Sequence, residues 1–236
     1  MSEHNCHECG HQHDCDDMDN IIELTGNHLE DKGNQWLNYS LDMYRERGWS
    51  CFGGGANQLE GSLPLTLTHN GNQIAFIGCN TVGPFADETS AGAARCDFPM
   101  LYETIGQLRE EGFQPIVTLQ YLEDYNYAPT PAQMRDFRAL AEAGAVVVQG
   151  SQAHQAQTLE FYGETFIHYG LGNFFFAQHN TPNTDLECID RHVIYDGRHI
   201  STQVYTYLLV NDAQPRPMTP DQRRELLANL FAASGW

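Results

Sequence analysis

Two short stretches of the chain carry side chains able to do chemistry at the ends of apolar runs. Thr25-Gly26-Asn27-His28 follows Ile21-Ile22-Glu23-Leu24, and Ser151-Gln152-Ala153-His154 follows the run from Ala145 to Gly150. Such runs read as buried strands, and the carboxyl ends of strands are where α/β proteins collect ligands and reacting groups. An imidazole there can move a proton or bind a metal near neutral pH, and a neighbouring amide can orient a ligand. A further strand end, after Gln114 to Gln120, adds Tyr121, Glu123, Asp124 and Tyr125. Glu123 and Asp124, with Glu30 and Asp31, are the carboxylates beside these strand ends, which makes them candidates for a general base or a metal ligand. Each group also has a plainer role: Asn27 as a turn residue, His28 and His154 as hydrogen-bonded loop histidines, the tyrosines as loop anchors, and the acids as solvated surface. His168 falls inside a strand and reads as a residue of the core or of a sheet face.

The elements that must position these groups alternate along the chain. Leu37, Leu41 and Tyr44 have the spacing of an amphipathic helix over 34–47, stopped by Gly48. Leu63 to Thr68 and Gln73 to Gly78 flank His69-Asn70-Gly71-Asn72, where Asn-Gly predicts a tight hairpin and makes the sheet mixed. A helix follows over 99–111 and a buried strand over 114–120. Thr130-Pro131-Ala132-Gln133 combines an N-cap, a first-turn proline and a reciprocating glutamine, so a helix is expected to Ala143, ended by Gly144. A strand over 145–149 precedes a hairpin at Tyr162-Gly163-Glu164, then Tyr169-Gly170-Leu171-Gly172-Asn173. Phe174-Phe175-Phe176 reads as core. Two strands joined by Asp196-Gly197-Arg198 and a helix capped at Thr219 close the domain.

At 236 residues the chain can bury a substantial core as one α/β domain over 21–236, preceded by a flexible Cys/His-rich tail over 1–20. A formal net charge of −19, from 12 Lys+Arg against 31 Asp+Glu, argues against a nucleic-acid partner, which demands a cationic face. There is no apolar run long enough for a membrane span and no basic-then-apolar leader, so the chain as it stands is expected in the cytoplasm. A preceding segment would instead make it membrane-associated or extracytoplasmic. In the tail, Cys6-x2-Cys9 is half of a zinc knuckle, but Cys15 and the histidines His4, His7, His11 and His13 crowd too closely for a second half. Cys51, Cys79, Cys96 and Cys188 are scattered and are expected as free thiols.

Taken in order, Thr25-Gly26-Asn27-His28 with Asp31 and Gly33, Gly53-Gly54-Gly55-Ala56-Asn57, Ile74-Ala75-Phe76-Ile77-Gly78, Pro129-Thr130-Pro131, Gly150 to His154, and Tyr169-Gly170-Leu171-Gly172-Asn173-Phe174 resemble the capsule-synthesis CapA family. That family is associated with poly-γ-glutamate capsule production and is similar to the calcineurin-like metallophosphoesterases. The resemblance implies a metallophosphoesterase-like α/β/β/α sandwich with mixed sheets, here lacking its first strand or strands. It also implies a divalent metal (Mn, Fe or Zn) that activates water for attack on an anionic polymer or a phosphoester. Carried over by position, Asn27, His28 and His154 would hold the metal, His28 and His154 would be catalytic and Asn173 would form the neighbouring wall. From their own places beside the strand ends, Asp124 is a further catalytic candidate, and Gln120, Tyr121, Glu123, Tyr125, Ser151 and Gln152 are candidates to line the substrate site with Asn173. The chain departs from the pattern where Gln120-Tyr121-Leu122 replaces His-Trp-Gly and where Ser151 replaces a histidine. Two functions follow: a metal-dependent hydrolase of phosphoesters or γ-glutamyl amides, or a non-catalytic member that binds a polymer or a partner.

Overall fold

The computed structural model describes residues 20–234 apart from Ala177, His179 and Asp212, so the Cys/His tail lies outside the described residues. In chain order the elements begin β1 (Ile21–Glu23), α1 (Asn34–Glu46), β2 (Ser50–Phe52), β3 (Gly54–Gly55), α2 (Gln58–Ser62), β4 (Leu65–His69) and β5 (Asn72–Asn80). Next come β6 (Gly92–Ala93), α3 (Phe98–Glu110), β7 (Gln114–Asp124), α4 (Pro131–Ala143), β8 (Val147–Ala153), β9 (Leu159–Tyr162) and β10 (Thr165–His168). The chain closes with β11 (Leu186–Tyr195), β12 (Arg198–Val210), β13 (Gln214–Pro217) and α5 (Pro220–Ser234). None of the described helices is long and apolar enough to cross a membrane.

A six-stranded mixed sheet runs β4-β5-β7-β8-β10-β9, and a three-stranded antiparallel sheet runs β11-β12-β13. Strands β5, β7, β8 and β10 are parallel, while β4 and β9 close the two edges as antiparallel hairpin partners. Each face of the large sheet buries apolar side chains. Val117, Leu119, Val148 and Ile167 pack with Leu101 and Ile105 of α3 and Phe137 and Leu140 of α4. Ile116, Val147 and Phe166 pack with Ile194 and Val204 of the small sheet, and Leu226 and Leu230 of α5 cover Cys188 and Val204. Burial on two faces explains why these strands read as continuous apolar runs rather than alternating ones.

Local chemistry accounts for the turns and caps. Asn70 and Gly71 have φ of 48° and 76°, as do Asp196 and Gly197 with 51° and 66°, the paired left-handed conformation that matches strand twist in a two-residue hairpin. Thr130 Oγ1 accepts from the Gln133 backbone N at 3.2 Å, as its sequence predicts. Gln133 does not reciprocate. Its Nε2 instead donates to Gln157 Oε1 at 3.1 Å and the Tyr169 carbonyl at 2.8 Å, because the side chain is buried beneath the sheet, where a core amide must be satisfied. The reciprocal box stands at α5, where Thr219 N donates to Gln222 Oε1 at 3.0 Å and Gln222 N donates to Thr219 Oγ1.

Two further expectations are corrected. Cys79 and Cys96 are joined in a disulfide, with Cα atoms 5.0 Å apart. The cause is tertiary: Cys96 N donates to the Asn80 carbonyl at 3.0 Å, so the segment after β6 lies alongside the end of β5. Cys51 and Cys188 are free. Phe174, Phe175 and Phe176 are not core but exposed, at 47%, 63% and 44%, because the chain leaves the sheet before Asn173 and turns outward.

His168 is buried where the two sheets meet, with Nδ1 2.7 Å from Asp190 Oδ2, both side chains fully enclosed. Burial opposes its charge, but the Asp190 carboxylate prevails and lifts the ring to about 10. His192, close to His168, His199 and Asp190, goes the other way: burial pulls it down to about 4. A neutral buried histidine stabilises the fold above its ordinary pKa, and that stability is lost as pH falls from about 6.5 toward 4.

Two outcomes follow for stability. The double variant Cys79→Ser/Cys96→Ser is expected to lose about 3 kcal/mol in urea unfolding, the scale for opening a loop of this order. Acidification from pH 7 to 4 is expected to lower the urea midpoint, and His192→Gln to flatten part of that slope; an unchanged slope would assign the acid sensitivity to other groups.

Candidate functional site

Register builds the rim. Asn80 of β5 lies opposite Gln120 of β7, and Gln120 lies opposite Ser151 of β8, so three polar residues form one row across the carboxyl ends of parallel strands. Strand β1 is not in this sheet; it pairs with β2 in a separate two-stranded ribbon. Its following loop is tied to the row by side chains: Asn80 Nδ2 donates to the Thr25 carbonyl at 2.7 Å, and Gln120 Nε2 donates to Asn27 Oδ1 at 3.0 Å. Gln120 Nε2 also donates to Gln152 Oε1, and Ser151 Oγ donates to Gln120 Oε1 at 2.6 Å. Asn27, Gln120, Ser151 and Gln152, distant in the chain, thus form one hydrogen-bonded cluster. Gln152 adopts φ of 79°, a left-handed conformation that a non-glycine side chain reaches at a cost of roughly 1–3 kcal/mol.

The direction of these bonds decides what the cluster offers. Both hydrogens of the Gln120 amide are taken up by the oxygens of Asn27 and Gln152, which orients the NH2 groups of Asn27 and Gln152 away from it. Those two NH2 groups hydrogen-bond no other described residue. The cluster therefore engages the oxygens of Asn27 and Gln152 and leaves their N–H donors unused.

His154 belongs to a neighbouring assembly. Asn173 Nδ2 donates to the Thr184 carbonyl at 3.0 Å, which leaves Asn173 Oδ1 facing His154 Nδ1 at 2.8 Å. An amide oxygen only accepts, so this network assigns the proton to Nδ1 and, in the neutral ring, the lone pair to Nε2. The ring is stacked between Tyr125, 5.7 Å away, and Phe176, 5.1 Å away. Tyr125 donates its hydroxyl proton to Glu123 and accepts from Gln178 Nε2 at 2.9 Å, and the bond to Glu123, followed by burial, raises its pKa. Gln178 also accepts from Asn173 Nδ2 at 3.2 Å, completing a ring of contacts around the imidazole.

The remaining candidates point elsewhere. His28 is 69% exposed, with Nδ1 3.0 Å from Asp31 Oδ2, and no hydrogen bond or ring contact among the described residues joins it to His154. Asp124 accepts from Tyr125 N at 2.7 Å, Asn126 Nδ2 at 2.6 Å and Gln157 Nε2 at 3.2 Å, so both its oxygens anchor the turn after β7. Tyr121 is buried against Phe137 and donates to Asp136 of α4, on the helix side of the sheet. Burial, then that carboxylate, pushes its phenol far above the ordinary range. Asn80 and Gln178 were invisible to motif reading. Asn80 follows the apolar run Ile74–Cys79 and so carries the strand-end signal that singled out Asn27; Gln178 carries none.

The donor chemistry does not suit a divalent metal. Such ions bind well to imidazole and carboxylate and poorly to neutral amides, and here the amide oxygens already accept from Gln120. Among the described residues no group of three or more His, Cys, Asp or Glu side chains could share an ion.

Residues 17–178, well over half of the chain, match the family model described as bacterial capsule synthesis protein PGA_cap. A "Capsule biosynthesis protein CapA" of Bacillus anthracis is 24% identical over 206 residues, covering 84% of this chain and 50% of that protein. A "PGA biosynthesis protein CapA" of Bacillus subtilis (strain 168) is 24% identical over 209 residues, covering 87% and 54%. The chain spans about half the length of these relatives. A hypothetical protein from Thermus thermophilus aligns over 62% of each chain with a TM-score of 0.42 and 12% identity.

Removing the amide that holds His154 has a spectroscopic consequence. Asn173→Ala is expected to convert a ring protonated at Nδ1 into a mixture of tautomers, read from the ring 15N shifts at a pH where the imidazole is neutral. A wild-type ring protonated at Nε2 would refute the assignment.

Proposed function

The chain belongs to the bacterial capsule synthesis protein family PGA_cap, and on that premise we propose that it serves capsule assembly by holding the polymer at its rim rather than by cleaving bonds with a metal-bound water. The observation that carries this reading is the closed amide cluster. Asn27, Gln120, Ser151 and Gln152 hydrogen-bond one another, and the NH2 groups of Asn27 and Gln152, bonded to no other described residue, remain able to donate to hydroxyl or carbonyl oxygens. The poly-γ-glutamate with which the resembling family is associated makes that polymer the first probe.

A hydrolytic reading rests on one specific feature. His154 is stacked in place with Nδ1 engaged and Nε2 bonded to no described residue, the geometry a general base requires. In that reading His154 Nε2 would take a proton from water.

We place the working domain in an oxidising compartment, outside the cytoplasm. The disulfide between Cys79 and Cys96 supports this, since such bonds persist where thiols are not kept reduced.

The test combines metal analysis, turnover and binding on the purified chain. Metal well below one equivalent is expected, with no hydrolysis of a phosphodiester or a γ-glutamyl amide in manganese. Capsular material from the producing strain is expected to be retained by the wild type and lost by at least about tenfold in Gln120→Leu, which removes two donated hydrogen bonds at the rim. Stoichiometric metal with turnover abolished by His154→Ala would establish the hydrolase instead.

A further inference from the structure

The polar row at the strand ends has a further member. After β6 the chain runs beside the end of β5: Asn80 N donates to the Ala94 carbonyl at 2.8 Å and Cys96 N to the Asn80 carbonyl at 3.0 Å, so Arg95 stands opposite Asn80 in a parallel bridge. Paired residues of neighbouring strands point to one face and their chain neighbours to the other. Cys79 and Cys96 accordingly join their disulfide on the helix side, packed with Leu101 and Leu119. The order across the strand ends is therefore Arg95, Asn80, Gln120, Ser151, and Arg95 lies two strand spacings, about 10 Å, from Gln120.

Asn80 ties both flanks of this row together. Its Nδ2 holds the Thr25 carbonyl in the loop that carries Asn27, and its Oδ1 accepts from Val82 N at 2.7 Å and Gly83 N at 3.1 Å, in the loop that carries Phe85. The Arg95 guanidinium lies over the Phe85 ring, 4.4 Å from its centre. It is exposed and makes no hydrogen bond or ion pair with a described residue. Arg45, Arg135, Arg138 and Arg224 all pair with carboxylates, so an unpaired arginine in this acidic chain is unusual. Acids do stand near it. Asp97 Oδ1, however, accepts from Met100 N at 3.2 Å as the cap of α3, and Asp87 Oδ1 accepts from Thr89 N and Ser90 N at 2.7 Å each, which holds its pKa below the ordinary range. Arg95 and Phe85 share a cavity of about 1280 Å³ with Leu59, Phe98, Pro99 and Met100.

We propose that Arg95, seated on Phe85, is the carboxylate anchor for an amide-linked chain that bears acidic side groups. One carboxylate takes the guanidinium fork, the adjoining methylenes lie against Phe85 and the apolar lining of the cavity, and a carbonyl further along accepts from Asn27 or Gln152. The inference rests on the polymer-holding reading above and adds the residue that reads the polymer's charge. Arginine suits the task because its planar fork gives two parallel N–H bonds to one carboxylate, and a ring beneath it fixes the fork without consuming its donors. The net charge of −19 does not bar an anion here, since charges beyond a Debye length of about 8 Å are screened at physiological ionic strength. The nearest free partner decides.

Calorimetry on the purified chain at physiological ionic strength uses two probes: a γ-glutamate oligomer of defined length, and the same oligomer with its side carboxylates converted to amides. The wild type is expected to bind the acidic oligomer at least about tenfold more tightly than the amidated one. Arg95→Gln should erase that preference, lowering affinity for the acidic oligomer by at least about tenfold and leaving that for the amidated one unchanged. Arg95→Lys should keep part of it, because an ammonium retains the charge and loses the fork. Both substitutions fall on an exposed side chain, so thermal midpoints should match the wild type. Gln120→Leu, which breaks the amide cluster, should weaken both probes alike. Wild-type binding of the amidated oligomer as tight as that of the acidic one, or equal loss of both probes in Arg95→Gln, would overturn the anchor and leave polymer holding intact. Binding of neither probe would overturn the anchor together with the holding reading.

Discussion

Everything at the rim hangs on the parallel register of β5, β7 and β8. That register sets Asn80, Gln120 and Ser151 side by side, and a slip of one residue would turn each to the opposite face of the sheet. Val117 and Leu119 face α3 and α4, while Ile116 and Val147 face the small sheet, so both faces of these strands are buried. Gly150 adds a steric constraint, since a Cβ there would stand 2.0 Å from the Tyr169 carbonyl oxygen. Close approach of β10 to β8 therefore demands glycine one residue before Ser151.

From that row the structure reaches outward by side-chain bonds rather than by backbone pairing. Strand β1 belongs to a different ribbon, and its loop is held at the rim by the amides of Asn80 and Gln120. Such bonds are individually modest, but a buried amide left unpaired is costly, so the loop and the strand ends are mutually dependent. Gln120 crosslinks two other amides at this point of the rim.

His154 is positioned by a second, independent system. Asn173, tied to the Thr184 carbonyl and Gln178, fixes the imidazole from one edge, and Tyr125 and Phe176 fix it from both faces. An imidazole so confined has one tautomer and one orientation, which suits it either to contact a ligand or to accept a proton. His28, exposed and paired with Asp31, has no comparable support.

The sequence by itself determined the alternation of elements, both Asn-Gly and Asp-Gly hairpins, the helix caps at Thr130 and Thr219, and the placing of Asn27, Gln120, Ser151 and Gln152 at the ends of apolar runs. These are local properties: periodicity, left-handed turn residues and N-cap oxygens act within a few residues of chain. Only the tertiary structure decided how those ends meet. Whether Gln133 reciprocates its cap or enters the core depends on Gln157 and Tyr169, 24 and 36 residues away. Cys79 and Cys96 form a disulfide because the segment after β6 runs beside the end of β5, and the Phe174 to Phe176 run faces solvent because the chain turns outward past Asn173. Apolar character in a sequence reports that burial would be favourable; which side chains are buried is settled by long-range packing, which no window along the chain contains.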